Sequence, residues 1–462
     1  TTSMSPGAGY VTKDNRPTQR LANYLEERAE GQTALIIQTI CPWKRNDIDP
    51  DHIHELPSCY DESCIPDLQR YMIEPVHKHG GLICAQPYYV HDWKPDAETP
   101  EGPYGPSDIA ILKFMGGFRA MTLEQKVAQL FIVTPEALVE GVSQVTQAGD
   151  MTREGVTAHP VGGIVYFAQN LLDPEQTTTM LANVKQFYAD AGNVAPFIAV
   201  DEEGGTVVRV ADNEAFGAQD VGDASALGSA GDTEAAKRAA EQIADYLMPL
   251  GFNLDFAPVA DVVDPLRSDT MGLRSFSSDA AVAADMVRAE VEGFRDKKML
   301  CCAKHFPGIG AAAGDSHEGA ITIEATNEEL ETVDLVPFRA AIEAGVPMIM
   351  VGHVSLPNIV GDSTPAPLSS AVVQGMLRDS LGYTGIIVTD SLSMGAITDY
   401  YTPAEAAVAA LKAGCDIPLM PERLDEAYQG VLSAVQVGEL TEERLDESLT
   451  RILTAKQEYF GL

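Results

Sequence analysis

The sequence predicts an α/β protein: a (β/α)8 TIM barrel with an N-terminal α/β extension of about two βα units. From Met121 to the end of the chain, short apolar runs alternate with longer stretches of helical spacing. A polar cluster follows run after run, at the point where the run ends. Buried parallel strands have such runs, and barrel active sites lie at the carboxyl ends of the strands. The two observations together predict parallel strands around one pocket.

Eight apolar runs are the predicted strands. They lie at residues 129–133, 162–167, 197–200, 252–257, 299–303, 347–351, 385–389 and 415–419. The clearest helical stretches are residues 233–250, 279–297, 327–344, 403–413 and 441–460, the last of which would close the barrel. Eight such units in roughly 340 residues fit a barrel with insertions, because these folds span about 200 to over 400 residues.

Residues 1–112 have a different character. They contain four of the seven cysteines and end in a stretch rich in proline, glycine and acidic residues. Their pattern predicts a helix at 20–29, a strand at 34–39, a helix at 66–79 and a strand at 81–86. Two βα units are too few to close a barrel. We therefore expect a separate segment at 1–112 and the barrel domain at 113–462.

Composition argues against several classes of partner. A formal charge of −37 at pH 7 disfavours binding to nucleic acid or to an anionic membrane surface. No run approaches the ~20 apolar residues of a membrane helix. The chain shows no signal-peptide pattern and an odd number of cysteines, which predicts a reduced, cytoplasmic protein. A secreted or lipid-anchored form stays open if a signal peptide was removed.

Neither a metal ion nor a cofactor is predicted. The spacing of Cys41, His52, His54, Cys59 and Cys64 matches no established zinc pattern. The glycine-rich stretches match neither a P-loop nor the dinucleotide fingerprint, so a nucleotide cofactor has no support.

Acidic residues follow two of the predicted strands. Asp390 comes directly after the seventh strand, where it could be a carboxylate nucleophile kept ionised by nearby cations, or the cap of a helix. Asp201, Glu202 and Glu203 follow the third strand and precede a Gly-Gly turn and Arg209. One of these carboxylates could bind hydroxyl groups bidentately, with Arg209 across the loop. Alternatively, the three acids form a solvated loop.

Basic residues follow other strands. Lys304 and His305 come after the fifth strand and supply hydrogen-bond donors. Burying the lysine charge without a partner costs several kcal/mol, so we expect Lys304 to have one. His353 follows the sixth strand and could face the same pocket, although a satisfied core histidine is the preferred interpretation. Arg274, in the loop after the fourth strand, is by itself typical of a surface salt bridge.

The glycine-rich loop that begins at Lys304 ends in an aspartate and a histidine. Asp315 and His317 are two residues apart, so in an extended segment their side chains fall on one side. An aspartate beside a histidine holds the imidazole in one tautomer and raises its basicity. The pair is therefore a candidate proton-transfer group.

Taken together, these motifs resemble glycoside hydrolase family 3, in particular its single-domain β-N-acetylglucosaminidases. The resemblance covers about residues 121–462. The matching motifs, in order, are Asp201-Glu-Glu-Gly-Gly with Arg209, Asn253-Leu-Asp-Phe-Ala-Pro-Val, Arg274-Ser-Phe, Lys304-His-Phe-Pro-Gly, Asp315-Ser-His317 and Thr389-Asp-Ser-Leu-Ser-Met-Gly-Ala.

The resemblance implies a role for each motif. Asp390 is the nucleophile that forms a glycosyl-enzyme intermediate, and His317, with Asp315 behind it, is the acid/base on a mobile loop. The residues implied to bind the sugar are Asp201, Arg209, Arg274, Lys304 and His305.

The implied function is that of a retaining exo-β-N-acetylglucosaminidase. It would remove terminal β-linked N-acetylglucosamine from chitooligosaccharides or peptidoglycan fragments. Retaining glycosidases usually use two carboxylates, so a histidine acid/base is unusual. A neutral histidine base repels an anionic acceptor less than a carboxylate does, which leaves phosphorolysis as an alternative. A non-catalytic sugar-binding protein is another alternative, against which the presence of both Asp390 and His317 argues.

Residues 1–112 resemble the opening of Old Yellow Enzyme-type flavin oxidoreductases. The motifs are Met4-Ser-Pro-Gly-Ala-Gly-Tyr-Val-Thr, Tyr24-Leu-Glu-Glu-Arg-Ala, Ala34-Leu-Ile-Ile, Ile65-Pro-Asp-Leu, the stretch from His77 to Gln86, and Tyr104-Gly-Pro-Ser. Gln86 corresponds to a flavin-contacting glutamine of that family. The later phosphate-binding strands and catalytic histidines of the family are missing, so we expect a packing or interaction segment without FMN. A flavin-dependent reductase is the alternative function.

Overall fold

The structure, a computed structural model, describes residues 121–139, 141–264, 271–310 and 321–460. In the N-terminal part it describes residues 2–4, 22, 35–40, 70 and 82–87. The chain forms two units, Thr1–Met121 and Thr122–Leu462.

Twelve strands lie in the described residues. They are β1 (Thr2–Met4), β2 (Leu35–Ile40), β3 (Leu82–Pro87), β4 (Ile132–Val133), β5 (Gly163–Tyr166), β6 (Phe197–Val200), β7 (Leu254–Asp255), β8 (Leu300–Phe306), β9 (Ile321–Thr322), β10 (Met348–Val351), β11 (Val354–Ser355) and β12 (Ile386–Thr389).

Fourteen α-helices are described as well. They are α1 (Leu123–Gln129), α2 (Asp150–Ala158), α3 (Pro174–Asp190), α4 (Ala224–Ala230), α5 (Thr233–Leu250), α6 (Met271–Arg274), α7 (Ala280–Asp296), α8 (Asn327–Thr332), α9 (Leu335–Glu343), α10 (Pro357–Val360), α11 (Gly395–Thr398), α12 (Pro403–Ala413), α13 (Leu424–Gln436) and α14 (Glu442–Phe460). Four 3-10 helices (Pro135–Leu138, Ala168–Asn170, Glu214–Phe216 and Ala366–Leu368) and a π-helix (Ala371–Ser380) join them.

In the N-terminal unit, β1, β2 and β3 form a parallel sheet in that order. The two strands predicted here appear as β2 and β3, each shifted by one residue. The sequence did not predict β1, which has only three residues and no apolar pattern. Of the two predicted helices, only Ala22 and Arg70 lie within the described residues. The cysteine and histidine cluster at residues 41–64 lies outside them.

The second unit contains the predicted barrel. Seven parallel strands run in the order β12-β10-β8-β7-β6-β5-β4. Residues 415–419, the predicted eighth strand, form only isolated parallel bridges, Ile417 with Val388 on one side and Leu419 with Ile132 on the other. These bridges join the two edge strands, β12 and β4, and close the ring. The predicted (β/α)8 architecture is confirmed, although most strands are shorter than the apolar runs and β8 extends three residues beyond its run.

The long helices follow the predicted boundaries because their ends are capped. Asp232 accepts a hydrogen bond from the backbone N–H of Ala235 at the start of α5, and Gly251 ends that helix with φ at 112°. Asp279 caps the start of α7 in the same way. The predicted helices at 233–250, 279–297, 403–413 and 441–460 are therefore confirmed to within a residue at each end.

One predicted helix is wrong. The stretch 327–344 forms two helices, α8 and α9, which are separated at Val333 and Asp334. Pro337 gives the physical reason. It has no N–H to donate to the carbonyl of Val333, and its ring would clash with that carbonyl in a continuous helix.

A small parallel pairing lies beside the barrel rim. β9 pairs with β11, with Ile321 opposite Val354 and Thr322 opposite Ser355. Since β11 begins three residues after β10 ends, the chain that follows residues 311–320 returns to the carboxyl end of β10.

A buried lysine on α14 contacts residues at the amino-terminal ends of the barrel strands. Lys456 is fully buried, and its Nζ donates to Gln129 Oε1 at 3.1 Å and to the Gly162 carbonyl at 2.8 Å. The ammonium lies 4.7 Å from the ring centroid of Phe197, the first residue of β6. These partners precede or begin strands, so Lys456 sits at the amino-terminal end of the barrel. Burial lowers the pKa of Lys456 to about 7.

We expect Lys456 to make the free energy of unfolding depend on pH. An unfolded lysine titrates near 10.4, so between pH 7 and about 10 the unfolded chain binds the extra proton and stability rises with pH. The stability of the wild type relative to Lys456→Met should therefore rise by about 2 kcal/mol in total from pH 7 to 9 in urea unfolding. Lys412→Met, a half-exposed control on α12, should show no such slope. An equal difference at both pH values for Lys456→Met would contradict the expectation.

Candidate active site

Charged side chains from different strands meet at one rim of the barrel. Asp201 follows β6, Asp255 ends β7, Lys304 and His305 lie near the end of β8, and Asp390 follows β12. All five are therefore at the carboxyl ends of parallel strands, where barrel enzymes have their active sites.

Two of these rim groups, Asp201 and Lys304, form a row of alternating charges with Glu203 and Arg274. It is here called the charge row. Lys304 Nζ lies 2.7 Å from Asp201 Oδ1 and 2.6 Å from Glu203 Oε1. Arg274 donates through Nε and Nη2 to the two Glu203 oxygens, both at 2.8 Å. The guanidinium thus binds the carboxylate in the bidentate geometry that makes such pairs strong.

Burial and ion pairing act against each other in the charge row, and pairing prevails. Burial alone would raise the pKa of Glu203, but the charges of Lys304 and Arg274 hold it well below its usual range. Burial alone would lower the pKa of Lys304, but Asp201 and Glu203 raise it above its usual value. Glu203 and Lys304 therefore stay charged at neutral pH. The partner that we expected for Lys304 is present.

Two simpler interpretations of the sequence are wrong. Glu202 and Glu203 do not form a solvated loop, because both are buried. Arg274 is not in a surface salt bridge, because its side chain is only 15% exposed and that of Glu203 only 5%.

His305 is oriented by a buried carboxylate that the sequence did not single out. Its Nδ1 lies 2.8 Å from Asp261 Oδ2. A carboxylate oxygen accepts, so Nδ1 of His305 is the donor in this pair. The backbone N–H of Ile309 also donates to Asp261, at 2.8 Å. Asp261 therefore fixes both the imidazole and the start of the loop after β8.

Asp390 lies beside the histidines. Its backbone N–H donates to the Val351 carbonyl at 2.8 Å, and its Oδ1 accepts from the Ser391 N–H at 2.7 Å. Burial alone would raise the pKa of Asp390, but the fields of His353 and His305, with the Ser391 bond and Lys304, lower it. Asp390 is therefore an ionised, partly exposed carboxylate. It does not cap a helix, because α11 begins only at Gly395.

His353 is a buried core histidine and also lies near the pocket. It is 2% exposed, and its Nε2 donates to the Ser391 carbonyl at 2.8 Å, as a satisfied core histidine would. It is also close enough to Asp390 to be the first of the groups that lower the pKa of that carboxyl. A buried histidine beside the rim therefore also supports the ionisation of a neighbouring acid.

Arg209 stands apart from the charge row. Its guanidinium lies over the ring of Phe167, 5.6 Å from the centroid, just after the end of β5. It forms no ion pair with any acid in the part of the chain that the structure describes. Its Nε is buried without a hydrogen-bond partner. The guanidinium therefore keeps donor capacity that a ligand could use.

The predicted proton-transfer pair lies outside the described residues. Asp315 and His317 fall within residues 311–320, between the described ranges 271–310 and 321–460. The residues on either side of that stretch are described: Gly310 follows the end of β8, and Ile321 begins β9. The roles of Asp315 and His317 stay predictions.

Sequence reasoning missed the supporting acids Asp255 and Asp261. Both are fully buried in the apolar stretch that contains β7. Asp255 Oδ1 accepts from the Glu202 backbone N–H at 2.9 Å, and burial raises the pKa of Asp255 well above its usual value. An acid inside an apolar run indicates a buried carboxyl group with partners, because carboxyl groups are rarely buried without them. This pattern could have identified both residues.

Within the described ranges, no three histidine, cysteine, aspartate or glutamate side chains are grouped so that they could hold a metal ion. The helices that the structure describes include none long and apolar enough to span a membrane.

The fold and the rim define the class of this protein: a parallel α/β barrel of the enzyme type, with an ionised carboxylate beside cations at the strand ends. A sequence profile of the "Glycosyl hydrolase family 3 N terminal domain" matches residues 122–455. The chain belongs to glycoside hydrolase family 3.

Two relatives of this chain are named β-hexosaminidases, and one solved relative is a β-N-acetylglucosaminidase. The chain is 32% identical over 327 residues to "Beta-hexosaminidase A" of Pseudoalteromonas piscicida, covering 66% of this chain and 54% of that protein. It is 34% identical over 353 residues to "Beta-hexosaminidase LpqI" of Mycobacterium tuberculosis, covering 72% of this chain and 82% of that protein. The solved family 3 β-N-acetylglucosaminidase of Paenibacillus sp. str. FPU-7 is 39% identical, with a TM-score of 0.69 over 74% of this chain and 63% of that chain.

The chain covers two of these relatives only in part. The chain spans about half the length of the Pseudoalteromonas protein and less than two thirds of the Paenibacillus chain. The resemblance of residues 1–112 to Old Yellow Enzyme is not borne out, since no comparison supports a flavin oxidoreductase. The phosphorylase and non-catalytic alternatives are likewise unsupported.

Proposed function

We propose that this protein is a retaining exo-β-N-acetylglucosaminidase that removes terminal β-linked N-acetylglucosamine from chitooligosaccharides or peptidoglycan fragments. The observation that carries the proposal is Asp390: an ionised carboxylate at a strand end, next to two histidines and the charge row. The names of the relatives supply the sugar, because they are β-hexosaminidases and a β-N-acetylglucosaminidase.

The proposed reaction has two steps. In the first, an Asp390 oxygen attacks the anomeric carbon, the bond from that carbon to the leaving oxygen breaks, and His317 gives its proton to the leaving oxygen. In the second, His317 takes a proton from water, the water oxygen attacks the anomeric carbon, and the bond to Asp390 breaks. Two displacements on opposite faces give net retention.

The rim residues have distinct proposed roles. Asp201 accepts hydrogen bonds from two sugar hydroxyls, while Lys304, His305, Arg209 and Arg274 donate to hydroxyl or carbonyl oxygens. The ion pairs of the charge row support this assignment because they hold the side chains in place before the sugar arrives. Such preorganisation lowers the free energy needed to order the site during the reaction. Asp315 orients His317.

The proposal predicts selectivity for the 2-acetamido group. We expect kcat/KM for 4-nitrophenyl N-acetyl-β-glucosaminide to exceed that for the matched β-glucoside by about 10²-fold or more, because a site that hydrogen-bonds a substituent rejects analogues without it. Initial-rate assays measure the ratio, and NMR of early product should show the β-anomer. Added phosphate should leave the rate unchanged and produce no sugar phosphate. A preference for the glucoside, or an α-anomer as first product, would refute the assignment.

A further inference from the structure

Glu202 lies between two members of the charge row but has different partners. It is fully buried. Its Oε2 accepts from the backbone N–H groups of Arg209 at 2.6 Å and Val210 at 2.9 Å. Its Oε1 accepts from the Ala211 N–H at 2.8 Å and from the Tyr246 hydroxyl at 3.0 Å. One carboxylate thus binds three successive backbone donors and one side-chain donor.

This set of bonds needs a carboxylate. The two oxygens of a carboxylate only accept, and together they offer about four lone-pair sites. A glutamine in the same place would turn an NH2 group towards some of these donors, so at least one backbone N–H would lose its partner. Bonds to a charged acceptor are also about twice as strong as neutral ones. Glu202 therefore fixes the path of the chain at residues 209–211.

The backbone of Glu202 is also fixed, by a hydrogen bond to a buried acid. Its backbone N–H donates to Asp255 Oδ1 at 2.9 Å, so the peptide after Asp201 is tied to the end of β7. Tyr246 lies within α5, which ties the carboxylate to a long helix as well. The loop at 209–211 therefore takes its position from two elements of the barrel.

Arg209 begins this loop, and its side chain lies beside the residue that directly follows β5. The Arg209 guanidinium lies over the Phe167 ring, and its buried Nε lacks a hydrogen-bond partner. The Phe167 ring limits where the guanidinium can lie, and Glu202 fixes the backbone that carries it. An arginine held in this way loses little further freedom when it binds a ligand oxygen.

We infer that Glu202 is a positioning residue for Arg209: by binding the N–H groups of residues 209–211 it places the Arg209 guanidinium for contact with the sugar. The inference rests on the proposed function, in which Arg209 binds the substrate. Glu202 touches neither the sugar nor the reacting atoms. Its effect on hydrolysis passes through Arg209.

A double-mutant cycle on the full chain tests this dependence. The variants are Glu202→Gln, Arg209→Ala and the double variant, assayed on 4-nitrophenyl N-acetyl-β-glucosaminide with kcat and KM determined separately. We expect Glu202→Gln to lower kcat/KM by up to about 10²-fold, mainly through KM, because a small misplacement of a binding group has effects of that size. In the Arg209→Ala background the same change should lower it by no more than about threefold.

Tyr246→Phe gives a second route that does not depend on the folding of the Glu202 variant. It removes one of the four donors, so we expect a smaller rise in KM, which Arg209→Ala should abolish. Equal losses from Glu202→Gln and from Tyr246→Phe in both backgrounds would overturn the inference while leaving the proposed function intact. A wild-type protein that hydrolyses no N-acetyl-β-glucosaminide would overturn the proposed function, and this inference with it.

Discussion

Replacing Asp390 by alanine should lower kcat/KM for a chromogenic N-acetyl-β-glucosaminide by about 10³-fold or more, because removal of a covalent nucleophile has effects of this size or larger. The carboxylate of Asp390 is ionised near His353 and His305. It directly follows β12, which ends at Thr389. The residual rate should come from binding alone. Initial-rate assays with a fluorogenic leaving group measure losses of this size.

Azide and a matched control sharpen the test of Asp390. In Asp390→Ala, azide can enter the space of the lost carboxylate and attack the anomeric carbon, so the product should be the α-glycosyl azide. Asp399→Ala, which changes an exposed aspartate nine residues later, should behave like wild type. His317→Ala should lose most activity on substrates with a sugar leaving group, which needs a proton, and less on 4-nitrophenolate. Wild-type turnover in Asp390→Ala would contradict the proposed mechanism.

The positions of the rim residues could be predicted from sequence because they depend on a local rule. An apolar run that ends in Asp390, or in Lys304 and His305, places these residues at the end of a parallel strand, and all such ends meet at one rim. The run at 415–419 shows the limit of the rule. Its two bridging residues make it part of the ring, but the apolar pattern cannot tell a full strand from two isolated bridges.

The partners within the site could not be predicted in the same way. Lys304 is separated from Glu203 by about a hundred positions, and His305 from Asp261 by 44. Such pairings depend on which side chains face each other across the rim, and no local pattern records that. Burial chemistry supplies a partial rule: a lysine or an acid within an apolar stretch must have a partner, although the sequence does not say which. Lys456 is a different case, because its partners Gln129 and the Gly162 carbonyl are neutral and burial lowers its pKa.

The overall charge of the chain does not set the chemistry of its site. A net charge of −37 favours protonation of every acid, which would raise the pKa of a nucleophilic carboxylate. Yet the pKa of Asp390 is lowered, because His353, His305 and Lys304 are near it and the other negative charges are mostly far away and screened by salt. The groups next to Asp390, rather than the total charge of the chain, therefore decide its ionisation.

Replacing Glu203 by glutamine should destabilise the protein by about 3–5 kcal/mol, because it leaves the buried charges of Lys304 and Arg274 without the acid between them. Glu203 binds Lys304 at 2.6 Å and Arg274 bidentately at 2.8 Å, and its side chain is 5% exposed. Urea unfolding of both proteins at pH 7 measures the difference. Activity should fall as well, since both cations would lose the partner that orients them.

The pH dependence of this difference separates ion pairing from a general loss of packing. The folded-state pKa of Glu203 lies well below the unfolded value of about 4.3, so its contribution to stability is fully present above that value and is lost as pH falls towards the folded pKa. The wild type should therefore exceed Glu203→Gln by the same amount at pH 7 and pH 5.5, and by less at pH 3.5. Glu343→Gln breaks an exposed pair with Arg288 and should cost no more than about 1 kcal/mol. If Glu203→Gln were as mild as this control, the charge row would not hold the rim together, and the preorganised sugar site would lose its physical basis.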